Sequence, residues 1–135
     1  HYVHAGMIGL EGEKMSKSLG NLVLVSRLRD SGVDPMAIRL ALMSGRYATD
    51  RDWSHDLLTE AENRLARWRA ALEDPVADPA PLVHHIRYAL SQDLDTQRAI
   101  HEIDAWFDST NHSDGTWEHT SQVLSALDSL LGVRL

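Results

Sequence analysis

Between Ser54 and Leu72 the apolar residues Leu57, Leu58, Ala61, Leu65, Trp68 and Leu72 recur every three or four positions. That spacing lines them along one side of a 3.6-residue helix and does not fit the two-residue period of a strand. Ser54 stands where an N-cap belongs, and Glu60 and Arg64 are four apart in the favourable order. A helix this long with one apolar side needs other helices to cover it, and the sequence supplies them. Asp34-Pro35 offers an N-cap and a proline at the first helical position, ahead of Met36, Ile38, Leu40, Leu42 and Met43, with Gly45 as the stop. Leu82–Gln92 (Leu82, Val83, Ile86, Leu90) and Thr96–Phe107 (Ile100, Ile103, Trp106, Phe107) are amphipathic in the same sense. Thr116 caps a last helix with Val123, Leu124, Leu127, Leu130 and Leu131 inward and Gly132 at its C-cap. Asp74-Pro75 to Pro81 holds three of the four prolines and reads as a linker, and Asp108 to Gly115 reads as a polar loop. The chain is thus expected to be mostly α, with residues 54–135 as a small antiparallel bundle. Trp68, Trp106 and Trp117 read as packing residues, and the acidic residues of this half as a solvated face.

The first part of the chain has a different texture. Tyr2 to Leu10 is apolar and contains Gly6 and Gly9, which suits a buried strand whose backbone approaches another segment closely. Glu11 to Gly20 is polar and carries glycines at both ends, the composition of a surface loop. After Asn21 to Val25, Ser26 is a candidate cap for a short helix ending at Gly32. The expected division is residues 1–20, a connecting helical segment at 21–53, and the bundle at 54–135. His1 stands within an apolar stretch with no initiator Met, so the chain reads as one part of a longer polypeptide.

Composition narrows the function. The absence of Cys leaves no disulfide or thiolate metal site within this chain. His84-His85, His101, His112 and His119 lack metal-ligand spacing, so no metal ligand is assigned. No apolar run has membrane length and no leader pattern opens the chain, which points to a cytoplasmic protein with no membrane partner. The net charge of −7 is uneven: residues 1–52 carry seven basic and six acidic residues, for +1, and residues 53–135 six and fourteen, for −8. An acidic helical half is a poor platform for a polyanion, and no nucleic-acid partner is expected.

The chemistry concentrates in five residues. Lys14 and Lys17 are the only lysines among 13 basic residues, and the other eleven are arginine. Lysine offers a compact charge on a flexible stem, suited to phosphate oxygens that move during reaction. A solvated loop with two stray lysines is the competing reading on composition alone. Ser16 and Ser18 add hydroxyl donors, Met15 is an apolar anchor, and Gly12 and Gly20 are hinges.

Lys14-Met15-Ser16-Lys17-Ser18, followed by Leu19-Gly20-Asn21, matches the KMSKS signature of the class I aminoacyl-tRNA synthetases without a departure. The stretch from His1 to Trp53 resembles the cysteine-specific branch, with His4 and Gly6 in a strand, the signature loop, the Asp34-Pro35 helix, and Met43-Ser44-Gly45-Arg46-Tyr47. This resemblance implies the last strand and KMSKS loop of a Rossmann-type α/β catalytic domain, which activates an amino acid with ATP and Mg2+. It implies Lys14 and Lys17 as catalytic charge stabilisers, and Ile8, Lys14, Met15, Ser16, Lys17 and Ser18 at the nucleotide, with the main chain of Ile8 against the adenine. It implies a cysteine-selecting zinc too, held outside this chain like the HIGH motif.

Only 39 residues follow Thr96 of Asp93-Leu94-Asp95-Thr96. That ending, Leu131-Gly132-Val133-Arg134-Leu135, is similar to the mycothiol-forming ligase branch of the family, which joins L-cysteine to the amine of glucosaminyl-inositol. The partners so implied are the N-terminal portion of the same protein and the small molecules L-cysteine, ATP and glucosaminyl-inositol, in a monomeric enzyme. A truncated cysteinyl-tRNA synthetase and a non-catalytic helical interaction module stay open as alternatives.

Overall fold

The computed structural model describes residues 2–109 and 114–135. In chain order the elements are β1 (Ile8–Leu10), β2 (Glu13–Lys14), α1 (Val25–Asp30), α2 (Pro35–Met43), β3 (Arg51–Trp53), α3 (His55–Ala71), α4 (Ala80–Ser91), α5 (Thr96–Ser109) and α6 (Trp117–Leu131). The chain is therefore mostly helical with a small sheet.

The sheet is ordered β2-β1-β3. β1 pairs antiparallel with β2 and parallel with β3, in the register Ile8↔Arg51, Gly9↔Asp52 and Leu10↔Trp53. A parallel neighbour requires a long crossover, and α1 and α2 provide it. The strand expected over Tyr2–Leu10 is paired only at Ile8–Leu10, because the partners β2 and β3 are two and three residues long. Glu11–Gly20 is not all loop, since Glu13-Lys14 returns along β1.

The caps follow their chemistry. Asp34 accepts from the Met36 amide, Ser54 from Leu57 and Thr116 from His119. Gly132 closes α6 at φ +65°, in the left-handed region that glycine enters freely. Ser26, expected as a cap, lies inside α1, which begins at Val25 with Leu24 at the N-cap and no side-chain cap. α3 stops at Ala71, short of Asp74-Pro75, and α5 runs to Ser109, past the expected loop start at Asp108. Residues 110–113 of that loop, His112 among them, lie outside the described residues.

One apolar cluster joins Trp53, α2 (Ala37, Ile38, Leu40, Ala41), α3 (Leu58, Ala61, Leu65, Trp68) and the inner faces of α4, α5 and α6. α2 packs on α3; α5 meets α2, α3 and α4; α6 lies on α4. Trp68 is fully buried, with its ring 6.1 Å from Phe107 and its Nε1 donating to Asp104 at 2.7 Å. Asp104 also accepts from Arg64 Nε at 2.9 Å, so this carboxylate is an inward polar strut and not part of a solvated face. Trp117, expected to pack, is 61% exposed because it occupies the first turn of α6.

Candidate active site

The hairpin that delivers Lys14 takes its shape from a two-residue turn. Gly9 faces Lys14 and Leu10 faces Glu13, leaving Glu11-Gly12 between them, at φ +55° and +80°. Both central residues have positive φ, as in the tight hairpin turns that follow strand twist. Gly12 takes this conformation freely, whereas Glu11 bears roughly 1–2 kcal/mol of left-handed strain. The Gly12 amide donates to Asp52 Oδ2 on β3 at 2.7 Å, which ties the tip to the third strand.

Beyond Lys14 the chain leaves the sheet, and Asn21 closes it into a loop. Asn21 Oδ1 accepts from the Ser16 amide at 2.8 Å, while its Nδ2 donates to the Lys14 carbonyl at 3.3 Å. Ser16 Oγ lies 3.2 Å from Ser18 Oγ and accepts from the Leu19 amide at 3.3 Å. Gly20, at φ +68°, donates its N–H to the Lys17 carbonyl. The polar groups of the segment are thus spent on its own shape, and both ammonium groups are left outward. Lys14 and Lys17 are exposed, and neither has an ion-pair partner among the described residues.

Met15 faces the other way. It is half-buried and, with Ile8, Val23, Val25, Leu28, Leu42 and Trp53, lines an apolar cavity of about 160 Å³. Ile8 is paired with Arg51 on β3 but has no partner on β2, so one edge of its main chain is free of the ladder among the described residues. The fold therefore places Ile8 and Met15 on the wall of one apolar cavity and leaves both lysines exposed.

Several residues around the segment were not singled out as site residues from sequence. Asp50 Oδ1 accepts from the Met7 amide at 2.7 Å, and Arg51 N–H donates to the Met7 carbonyl at 2.9 Å. Gly6 N–H donates to the Tyr47 carbonyl at 2.7 Å. Tyr47 OH in turn donates to Asp93 Oδ1 at 2.8 Å, and this bond, with the carboxylate's charge, holds the phenol above its ordinary range. Arg46 reaches Asp93 Oδ2 at 3.2 Å and Asp95 Oδ2 at 3.4 Å. The sequence contains both Arg46-Tyr47 and Asp93–Thr96 as motifs, yet no local signal joins residues 46 positions apart.

A larger cavity, about 640 Å³, lies between α3 and α5 and is lined by Ser44, Arg64, Asp95, Arg98, His101 and Asp104 among others. None of the Lys14–Ser18 residues lines it, and Arg64, Asp95, Arg98 and Asp104 are already engaged in ion pairs. The zinc implied by the family resemblance has no donor set here. The sequence has no Cys, and among the described residues no group of three or more His, Asp or Glu could hold a metal ion. No helix of the described residues is long and apolar enough to cross a membrane.

Residues 1–63 match the family described as tRNA synthetases class I (C) catalytic domain. The chain is 56% identical over 137 residues to an L-cysteine:1D-myo-inositol 2-amino-2-deoxy-alpha-D-glucopyranoside ligase of Corynebacterium aurimucosum, covering 99% of this chain and 33% of that protein. Ligases of the same name from Saccharopolyspora erythraea and Nakamurella multipartita are 55% and 56% identical, each over 100% of this chain and 33% and 32% of theirs. The chain spans about a third of the length of these curated relatives. Over 99–100% of its length the chain is thus similar to about a third of each of these ligases, and its residues 1–63 match the class I (C) tRNA synthetase catalytic-domain family.

Proposed function

We propose that this chain is the C-terminal part of an ATP-dependent ligase that activates L-cysteine as cysteinyl-adenylate and joins it to the amine of glucosaminyl-inositol in mycothiol biosynthesis. The observation that carries the reading is the similarity of 99% of this chain to a third of an L-cysteine:1D-myo-inositol 2-amino-2-deoxy-alpha-D-glucopyranoside ligase, together with an unbroken Lys14-Met15-Ser16-Lys17-Ser18 that leaves the β1–β2 hairpin at Lys14. In this reading residues 1–20 end a Rossmann-type catalytic domain with its KMSKS loop, 21–53 connect, and 54–135 form a helical bundle. The N-terminal portion of the same polypeptide completes the site. Its support is the apolar surface beside β1, where Tyr2 and Val3 are 95% and 75% exposed and Met7, Val25 and Leu42 are exposed as well.

The first step is attack of a cysteine carboxylate oxygen on the α-phosphorus of ATP. The bond to the bridging oxygen breaks, and pyrophosphate leaves; magnesium, entering with ATP as its substrate complex, would share in screening the phosphates. Negative charge accumulates on the β- and γ-phosphates, and Lys14 and Lys17 are the cations assigned to it. They act as charges and not as bases. The Ile8 main chain is assigned to the adenine, with Met15, Ser16 and Ser18 shaping the nucleotide side of the loop. In the second step the sugar amine attacks the adenylate carbonyl, an amide forms, AMP departs with the former carboxylate oxygen, and the amine's proton is lost. The enzyme is read as a cytoplasmic monomer.

The acceptor is the point to test. The full-length protein is supplied with ATP, cysteine and either glucosaminyl-inositol or tRNA, and AMP release and coupled product are followed. Amide product with the amino sugar and none with tRNA is expected. Charging of tRNA without turnover of the sugar would replace this reading with a cysteinyl-tRNA synthetase. Absence of cysteine-dependent ATP–pyrophosphate exchange would leave only a non-catalytic helical module.

A further inference from the structure

The segment from Arg46 to Asp52 touches two parts of the molecule at once. On one side it holds the lead into β1 and the hairpin. The Tyr47 carbonyl takes the Gly6 amide, Asp50 takes the Met7 amide, and Asp52 takes the amide of Gly12. A Cβ built on Gly6 would lie 2.3 Å from the Thr49 carbonyl carbon, so the two backbones are in direct contact. On its other side the segment meets the turn between α4 and α5, where Asp93 receives the Tyr47 hydroxyl and Arg46.

That turn is costly to make. Asp93 and Leu94 are consecutive non-glycine residues at φ +55° and +52°. Left-handed backbone at two successive L residues persists only where its surroundings demand it. Here it aims the Asp93 carboxylate at Tyr47 and Arg46, while Thr96 Oγ1 bonds the Met43 carbonyl at 2.7 Å and docks the turn independently on the end of α2. Tyr47 is therefore a two-ended strut, with its main chain on the β1 lead and its hydroxyl on the helical turn.

We infer that the Tyr47–Asp93 hydrogen bond is a positioning device that sets the β1–β2 hairpin, and with it Lys14 and Lys17, from the α4–α5 turn of the helical region. The inference rests on the reading that these lysines serve ATP. Tyr47 and Asp93 act through the hairpin and touch no reacting atom.

The test uses the full-length protein, with Tyr47→Phe, Asp93→Ala, Asp93→Asn, the Tyr47→Phe/Asp93→Ala pair, and Lys17→Ala. Because Thr96 and Arg46 still dock the turn, loss of the Tyr47 hydroxyl leaves it in place. In cysteine-dependent ATP–pyrophosphate exchange, Tyr47→Phe and Asp93→Ala are each expected to raise KM for ATP about three- to tenfold, the scale of the net worth of one solvent-exposed hydrogen bond. KM for cysteine should stay within about twofold, and the Gly6 and Gly12 amides should exchange hydrogen faster in both variants. Asp93→Asn keeps an acceptor oxygen for the phenol and should recover most of the loss. The double variant should be no worse than Asp93→Ala alone, because that single already removes the Tyr47–Asp93 bond together with the Arg46–Asp93 pair. Unchanged KM for ATP in both singles while Lys17→Ala is impaired overturns the positioning inference alone, as does a double variant with multiplied effects. Unimpaired exchange in Lys17→Ala overturns the functional reading beneath it.

Discussion

At the residue scale the molecule separates anchor from effector within five positions. Met15 is half-buried against Ile8 and Trp53, and Lys14 and Lys17 stand in solvent on either side of it. Replacing Lys17 by Ala in the full-length protein is expected to slow adenylate formation by roughly 10²–10³-fold, the usual scale for one group that stabilises developing charge. The melting temperature should not move, because an exposed side chain with no ion pair among the described residues contributes little to folding. Pyrophosphate exchange near the wild-type rate would remove Lys17 from the mechanism. Gly6 is demanding in the opposite way, through packing. A methyl group there would overlap the Thr49 main chain, which cannot rotate aside. Gly6→Ala should therefore cost about 1–3 kcal/mol, the range for overpacking, and a denaturant midpoint equal to wild type would show that the two backbones are free to separate. The lysines stand out in the sequence by their type and spacing, and the structure adds that both are exposed. The Gly6 contact was legible only as a close approach to some segment, since its partner lies more than 40 positions away.

At the scale of elements the helices declare themselves and the strands do not. α2 carries its instructions locally: Pro35 stands at the first turn, and Asp34 accepts from the Met36 amide at 2.8 Å while pairing with Arg69 of α3 at 2.8 Å. Partial burial pushes the Asp34 carboxyl up, but the Met36 amide and the Arg69 guanidinium outweigh it and hold the carboxyl below its ordinary value. A group depressed in the folded state contributes stability above its unfolded value near 4, and loses that contribution as pH falls through the lowered folded value. Asp34→Ala should cost about 1 kcal/mol at neutral pH, the common worth of an N-cap, and the difference from wild type should shrink at acid pH. Chemical denaturation of both proteins across that range checks it, and a constant difference would mean that the carboxylate's charge is irrelevant. β3 has no such local voice. Arg51-Asp52-Trp53 has neither alternation nor an apolar run, and it becomes a strand because β1 presents an edge to pair with.

For the whole molecule, the sheet and the helices share one core, with Trp53 buried among residues of α2 and α3. The Lys14–Ser18 segment projects from that body, held mainly by bonds among its own residues and Asn21. Such a loop opens at lower free energy than the helices beneath it. Trypsin is expected to cleave after Lys14 or Lys17 in the full-length protein, and ATP or a non-hydrolysable adenylate analogue should suppress the cut. Equal cleavage with and without nucleotide would argue against closure over the ligand. From the sequence came the helices, the caps Asp34, Ser54, Thr116 and Gly132, and the inward faces of Trp68, Ile86, Ile103 and Leu127. All of these depend on neighbours within a turn or two of chain. The tertiary structure alone decided that Glu11-Gly12 makes a hairpin against a third strand, that Asp104 turns inward to Trp68 and Arg64, and that Tyr47 reaches Asp93. Those pairings join residues 36 to 46 positions apart or depend on an edge made by another strand. Hydrophobic periodicity says which side of an element is buried, and it carries no information about which distant partner the buried side or the sheet edge will meet.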